Sequence, residues 1–180
     1  ASKHEQSARE APPSVTVITA DDIAAYGFRT LGDALASVRG FYVSYDRNYT
    51  YVGVRGFGRP SDYNNRLLIL IDGHATNETV SGSANAGTGL PVAMERVERI
   101  EIVRGPGSSL YGTGALFAVV NVVTKTAREE NGVVGSGVIG SQGRREALVG
   151  WSRALPRQGG VAASVRLGRI DGASLEAADA

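Results

Sequence analysis

The sequence predicts an α+β chain, with short strands and short helices up to Lys125 and strands alone beyond it. Three observations carry that reading. Two Thr-x-x-Asp boxes, Thr19 with Asp22 and Thr30 with Asp33, mark the starts of short helices. The most apolar runs, Leu67 to Ile71 and Ala115 to Val123, are strand length and fall well short of the ~20 residues of a membrane helix. After Lys125 the helix signals stop, and period-two segments bounded by turn residues follow one another.

From Pro12 the elements can be placed in order. Ser14 to Thr19 (SVTVIT) alternates as a short strand. Thr19 and Asp22 open a helix that Gly27 ends, because glycine takes the left-handed C-terminal position without a Cβ clash. Thr30 and Asp33 repeat the device. The helix from Leu31 to about Arg39 turns Leu31, Ala34, Leu35 and Val38 to one face, and Gly40 is its stop. Phe41 to Tyr45 and Tyr51 to Gly56 are two strands around a polar loop. A second polar loop, Arg59 to Asn65, leads into Arg66 to Gly73, a buried strand ending in an Asp-Gly turn. Thr76 to Gly89 is a long polar loop, and loops beyond about 12 residues tend to carry function or disorder. Pro91 starts a short helix over Val92 to about Arg96.

Glu95 to Lys125 reads as two strands joined by a tight connection. Arg99 and Glu101 alternate with Ile100 and Ile102, a Gly/Pro/Ser cluster follows, and the apolar run to Val123 closes the stretch. Past a charged linker, Ala127 to Gly132, strands are expected over Val133 to Gly140, Glu146 to Leu155 and Val161 to Ile170. In the last, Val161, Ala163, Val165 and Leu167 share one face while Ser164, Arg166 and Gly168 share the other. A membrane barrel strand and an ordinary two-faced sheet both have this pattern.

Composition narrows the function classes without choosing one. The chain has 180 residues, 42% hydrophobic and 21% charged, which suits a globular domain. Its formal charge of +1 is spread without a basic block, so no nucleic-acid partner is implied. The absence of cysteine excludes disulfide scaffolds and thiolate metal sites. Residues Ala1 to Ala11 are polar and aperiodic, a flexible tail without the basic start and apolar middle of a signal peptide.

Gly105, Gly107, Gly112 and Gly114 suggest a phosphate cradle. A P-loop needs Lys and then Ser or Thr after its last glycine, yet Gly112 is followed by Thr113, Gly114 and Ala115. A dinucleotide fingerprint needs a sixth-position glycine and a following helix, where this chain has Phe117 and a strand pattern. Asp72 and His74 suggest a metal or an acid/base pair. With the only other histidine at His4 they cannot fill a three- or four-ligand site unaided, and turn chemistry at Asp-Gly is favoured. No catalytic set of Ser/His/Asp or Cys/His type is visible, so no enzyme, cofactor or metal is expected.

The stretch from Glu98 closely resembles the end of the plug domain of TonB-dependent outer-membrane receptors. The matching residues are Glu98, Arg99, Ile100, Glu101, Val103, Arg104, Gly105, Pro106, Leu110, Tyr111, Gly112, Gly114, Ala115, Val120, Asn121, Thr124 and Lys125. Many members of the family carry two glycines where this chain has Phe117 and Ala118. The opening order S-V-x-V-I-T, D-I, L-x-D-A-L, G-x-x-V, the Val54-Arg55-Gly56-Phe57 motif and the Asp72-Gly73 strand end resemble the same family. The resemblance implies a small mixed sheet with short helices, followed by β-strands from the start of a truncated transmembrane β-barrel. Its domains would be a tail (1–11), a plug (12–126) and the first strands of an incomplete barrel (127–180). Such barrels need at least ~8 strands, more than the stretch after Lys125 supplies. Those strands are therefore expected to be disordered, to pair with the plug, or to pair between molecules.

The resemblance further implies energy-coupled uptake of a scarce nutrient such as a ferric siderophore or cobalamin. TonB would act through a box upstream of residue 1, and the plug would sit in its own barrel in the bacterial outer membrane, whereas the isolated fragment would be soluble. The apical loops Asp46 to Thr50, Arg59 to Asn65 and Thr76 to Gly89 would meet the ligand. Tyr45, Asp46, Arg47, Asn48, Tyr49, Arg59, Tyr63 and Asn77 are the candidate contacts. A plain solvated hairpin tip fits the first loop equally well. Arg55 and Arg104 match arginines that pair with carboxylates on the barrel wall, and removing one side of such a buried pair costs about 3–5 kcal/mol. The alternative is a stand-alone soluble periplasmic binding or interaction module with a plug-like fold. A reading frame ending near Ala180 would favour it, and about twenty further strands downstream would favour the receptor.

Overall fold

A computed structural model describes residues 15–59, 61–105, 114–141, 143–155 and 160–171. The expected tail, the connection containing Pro106, Gly107, Leu110, Tyr111 and Gly112, and the turn after Leu155 lie outside the described residues. The chain divides into two compact units between Thr124 and Lys125.

The first unit is built on a five-stranded mixed sheet in the order β1-β6-β7-β4-β5. These strands are β1 (Val15–Thr19), β4 (Leu67–Ile71), β5 (His74–Ala75), β6 (Val97–Arg104) and β7 (Ala118–Thr124). β4 and β7 run parallel and the other neighbours antiparallel. Parallel strands are buried on both faces, which is why β4 reads as unbroken LLILI. Leu67 and Ile69 enter the main core with Ile100, Ile102, Val120 and Val122, while Leu68 and Leu70 pack with Ala115 and Val119 in a second cluster. Val103 packs against that cluster, and a polar group lies on the same face. Asn121 receives the Gly73 N–H at 3.1 Å and donates to Glu101 at 3.2 Å, and Arg99 donates to Glu101 at 2.9 Å. Burial works to raise the Glu101 pKa and hydrogen bonds from the Asn121 amide and the Arg99 guanidinium work to lower it, and the carboxyl stands below its ordinary value.

Helices α1 (Ala20–Tyr26) and α2 (Leu31–Ala36) both start with the expected capping boxes, Thr19/Asp22 and Thr30/Asp33. Gly27 ends α1 at φ 65°. Helix α2 stops at Ala36, short of the expected Arg39, because the Ser37 hydroxyl bonds the Ala34 carbonyl at 2.7 Å and the Ser37 and Val38 amides close tight turns. Leu31, Ala34, Leu35 and Val38 are all buried as the helical period requires. The expected helix over Val92 to Arg96 is a single 3₁₀ turn, Met94–Arg96. Thr76 to Gly89 is not unstructured: the Glu78 carboxylate accepts the Val80 and Ser81 amides, and Ala84 and Ala86 are buried in the core.

A separate hairpin pairs β2 (Phe41–Tyr45) with β3 (Thr50–Val54). The Tyr42 ring crosses Gly53 and its phenol donates to the Gly58 carbonyl. A Cβ at Gly53 would lie within 2 Å of that ring, so any other residue there would displace the ring. Asp72 (φ 49°) and Gly73 (φ 81°) form the two-residue turn joining β4 to β5. Positive φ at both positions is the geometry that Asp-Gly favours in hairpins. The Asp72 carboxylate also accepts the Thr124 amide at 2.8 Å and its hydroxyl at 2.7 Å, closing the end of β7.

The second unit is an antiparallel meander, β8 (Gly132–Ile139), β9 (Arg145–Ala154) and β10 (Gly160–Arg169), ordered β10-β9-β8. These strands pair with one another over their full lengths. This replaces the expectation of disorder or of pairing with the plug, since each hairpin satisfies its own backbone groups locally. One face carries Val133, Ile139, Val149, Trp151, Val161, Val165 and Leu167, all exposed, and the opposite face buries Leu148 and Ser152.

Candidate functional site

The loop between β2 and β3 is fixed by its own aspartate. Asp46 Oδ1 accepts the backbone N–H groups of Asn48 (2.9 Å) and Tyr49 (2.7 Å), and Oδ2 accepts the Tyr51 phenol (2.9 Å). These bonds, the Tyr49 amide first, hold the Asp46 carboxyl below the usual carboxylate range. Arg47 sits at φ 79°, and Tyr45 donates to its carbonyl at 2.7 Å.

Three tyrosines gather at this end. Tyr49 lies with its ring centroid 5.1 Å from Tyr51 and 5.1 Å from Tyr63, the latter edge to face, and Tyr51 is 6.0 Å from Tyr63. The Tyr49 hydroxyl reaches the carbonyls of Ala84 (2.5 Å) and Tyr63 (3.1 Å), so one side chain joins three loops. Burial raises the Tyr49 pKa, and burial followed by the hydrogen bond to Asp46 pushes Tyr51 up to about 12. Both phenols are therefore neutral donors at pH 7.

Beneath the cluster lies Asn64, 2% exposed and at φ 61°. Its amide donates to Thr50 (2.8 Å) and Ala84 (2.9 Å) and accepts the Val52 N–H (2.8 Å). The Gly32 amide bonds the Ala86 carbonyl at 2.7 Å, which fastens the long loop to the start of α2. Tyr63, half exposed, is thus presented on a braced surface.

The structure brings Asp46, Tyr49 and Tyr63 together, with Tyr45, Arg47 and Asn48 on the same loop. Arg47 and Arg59 are exposed, and their guanidinium groups have no partner among the described residues. Asn77 stands apart: its carboxamide is taken up by Ile69, Leu67 and Gly82 backbone groups at 2.7–2.9 Å, which braces the edge of β4. Arg55, at φ 53° in the turn after β3, is exposed, while Arg104 at the end of β6 donates to the Arg39 carbonyl at 3.1 Å. Phe117 stacks on Phe57 at 5.8 Å and carries Arg66 over its ring. Two members of the site, Tyr51 and Asn64, escaped the sequence reading. Tyr51 was detectable as the same-face neighbour of Tyr49. Asn64 had only the weak signal of an asparagine, a residue that tolerates the left-handed region, at a turn. Among the described residues no group of three His, Cys, Asp or Glu side chains could hold a metal.

The site is thus a set of tied polar and aromatic loops carried by a mixed sheet with two capped helices. The family model described as TonB-dependent Receptor Plug Domain matches residues 7–119, and the chain belongs to that family. It is 34% identical over 163 residues to the vitamin B12 transporter BtuB of Vibrio vulnificus, covering 88% of this chain and 25% of that protein. It is 32% identical over 134 residues to the iron-regulated outer membrane virulence protein of Vibrio cholerae, covering 72% of this chain and 20% of that protein. The ferric enterobactin receptor PfeA of Pseudomonas aeruginosa shares the fold, with a TM-score of 0.66 over 90% of this chain and 25% of that one at 24% identity. The chain spans a fifth to a quarter of the length of the curated relatives it matches.

Proposed function

We propose that this chain is the plug, with the first barrel strands, of an energy-coupled outer-membrane receptor that takes up a scarce metal chelate or cofactor-sized nutrient. Residues 12–126 gate the lumen, and 127–180 begin the wall in the bacterial outer membrane. TonB acts through a segment preceding residue 1. Tyr45, Asp46, Arg47, Asn48, Tyr49, Arg59 and Tyr63 meet the ligand, with Asn77 holding the loop behind them, and Arg55 and Arg104 seat the plug against carboxylates of the wall.

The braced tyrosine cluster supports this reading most directly. Aromatic faces on loops that are already ordered give large contact area at small entropic cost. The one carboxylate in the first loop is consumed internally, whereas Arg47 and Arg59 are free to pair, so the surface suits an anionic chelate. In cells dependent on the receptor, Tyr63→Ala and Arg47→Ala together should weaken uptake and ligand affinity at least tenfold, with the receptor still inserted. Unchanged affinity in that double variant would remove the loops from the site. Arg55→Ala or Arg104→Ala with unchanged uptake and plug seating would remove the wall contacts.

A further inference from the structure

The segment that follows β5 completes the edge of the sheet with a side chain. β5 pairs with β4 at Leu70 and Ile71, and Thr76 carries that ladder one step further, its amide donating to the Ile69 carbonyl at 2.9 Å. There the backbone leaves the sheet and the Asn77 carboxamide takes its place. Its oxygen accepts the Ile69 N–H at 2.9 Å and its nitrogen donates to the Leu67 carbonyl at 2.7 Å. One side chain thus closes an edge that would otherwise be open, on a strand made only of Leu and Ile.

The same nitrogen also donates to the Gly82 carbonyl at 2.9 Å, so Asn77 joins β4 to the turn over 78–83. Glu78 closes that turn. Its carbonyl accepts the Gly82 amide at 2.9 Å, its own amide donates to Ser83 at 2.8 Å, and its carboxylate accepts the Val80 and Ser81 amides. Val80, at the tip, is 92% exposed. Past the turn, Ala84 bonds the Tyr63 carbonyl through its amide at 3.0 Å and accepts the Tyr49 phenol, so the segment runs on into the tyrosine surface.

We propose that Thr76 to Ser83 is a strap whose hold on β4 is set by the state of its tip, with Asn77 as the positioning residue that couples the two. A carboxamide has two N–H donors, and here one is spent on the strand and the other on the turn. If the side chain follows a displaced turn, its two bonds to β4 break together, which gives the strap a docked and a released state. The coupling is reciprocal: a solute that stiffens the tip tightens the β4 edge, and one that displaces the tip bares Leu67 to Ile69. That a solute reaches the tip rests on the ligand-facing reading of Thr76 to Gly89. The coupling of tip to strand does not.

Hydrogen exchange read by mass spectrometry on the full receptor containing this chain tests the strap with no solute added. Glu78→Ala frees the Val80 and Ser81 amides, and exchange should rise at least tenfold there and at Ile69, while Ile100 in the core of the sheet keeps its rate. Asn77→Asp retains an acceptor for the Ile69 amide but no donor for Gly82. In that variant Ile69 should stay protected and should no longer respond when Glu78→Ala is added, a separation that a side chain merely filling the edge would not produce. Unchanged exchange at Ile69 in Glu78→Ala, an equal rise at Ile100, or a response of Ile69 that persists in Asn77→Asp would overturn the coupling. The Glu78→Ala measurement decides the matter even if the Asn77 variant does not fold. Failure of the ligand-facing reading shows elsewhere, as unchanged affinity in the Tyr63 and Arg47 double variant, and leaves the exchange result standing.

Discussion

Strand β4 is wholly Leu and Ile and strand β10 alternates Val161, Val165 and Leu167 with small and polar residues, and the two meet opposite environments. Leu67, Leu68, Ile69 and Leu70 of β4 are buried on both faces, whereas every residue of β10 is exposed. Apolar composition is therefore not a sign of burial by itself. In the first unit the apolar residues satisfy one another through a two-faced sheet. In the second they alternate, and the sheet turns its apolar side outward over a band bounded by arginines. Such a face costs little where the solvent is lipid and is a liability where it is water.

The largest expected effect tests that contrast. Ile69→Ala or Ile100→Ala should lower the stability of the first unit by about 2–5 kcal/mol, because a fully buried side chain leaves a cavity. Leu167→Ala, 71% exposed, should change the stability of the second by no more than about 0.5 kcal/mol in water. Urea unfolding followed by hydrogen exchange in each unit gives both values, and comparable losses at Ile69 and Leu167 would break the comparison. A charge sharpens it. Val165→Arg, in the middle of the band, should be near neutral in water but should cost about 2–4 kcal/mol for folding into a bilayer. Equal folding of both receptors into lipid would mean that this face does not meet acyl chains.

Smaller effects separate the braces from the core. Asn64→Leu removes the acceptor of the Val52 amide and the Asn64 donor to the Thr50 and Ala84 carbonyls, of which Ala84 keeps the Tyr49 phenol, and an unsatisfied buried polar group costs about 1–3 kcal/mol. The loss should appear together with faster exchange in residues 46–50 and 82–86, and a loss confined to β2 and β3 would show that Asn64 does not tie the loops. Thr30→Ala removes a cap and should cost about 1 kcal/mol, read from the same unfolding curves.

Much of the first unit was legible because its signals are local. A threonine with an aspartate three residues on, an Asp-Gly pair and a run of five aliphatic residues each dictate a backbone state within one turn or one strand. The end of α2 was misjudged because the Ser37 hydroxyl competes for a helix carbonyl, an effect that a hydrophobic period does not register. Thr76 to Gly89 is a loop as expected, and its order comes from Glu78, Asn77 and Asn85, which organise it through side chain to backbone bonds that leave no apolar pattern. At the candidate site the loops could be chosen from composition. The gathering of Tyr49, Tyr51 and Tyr63 depends on Asn64 and Ala84, which are long-range partners invisible to spacing. The pairing of β8 to β10 follows from the turn signals between them, whose local hairpins outweigh the open edges of an unclosed barrel.

The smallest expected effect is also the most specific to the loops. The Asp46 carboxyl titrates below its ordinary value because its charged form accepts the Tyr49 and Asn48 amides and the Tyr51 phenol. A depressed native pKa means that the stabilisation is fully present above the unfolded value of ~3.9 and fades as pH falls through the lower native one. Between pH 7 and about 4, amide exchange at Asn48 and Tyr49 should therefore be limited by the same opening, and below that window the loop should loosen while β4 and β7 stay protected. Asp46→Asn should remove the pH dependence and leave the loop partly ordered, since an amide oxygen still accepts but carries no charge. If instead the loop and the sheet loosen together on acidification, Asp46 is not the group that holds the tyrosine surface, and the contrast between a rigid core and a separately fastened loop would have to be redrawn.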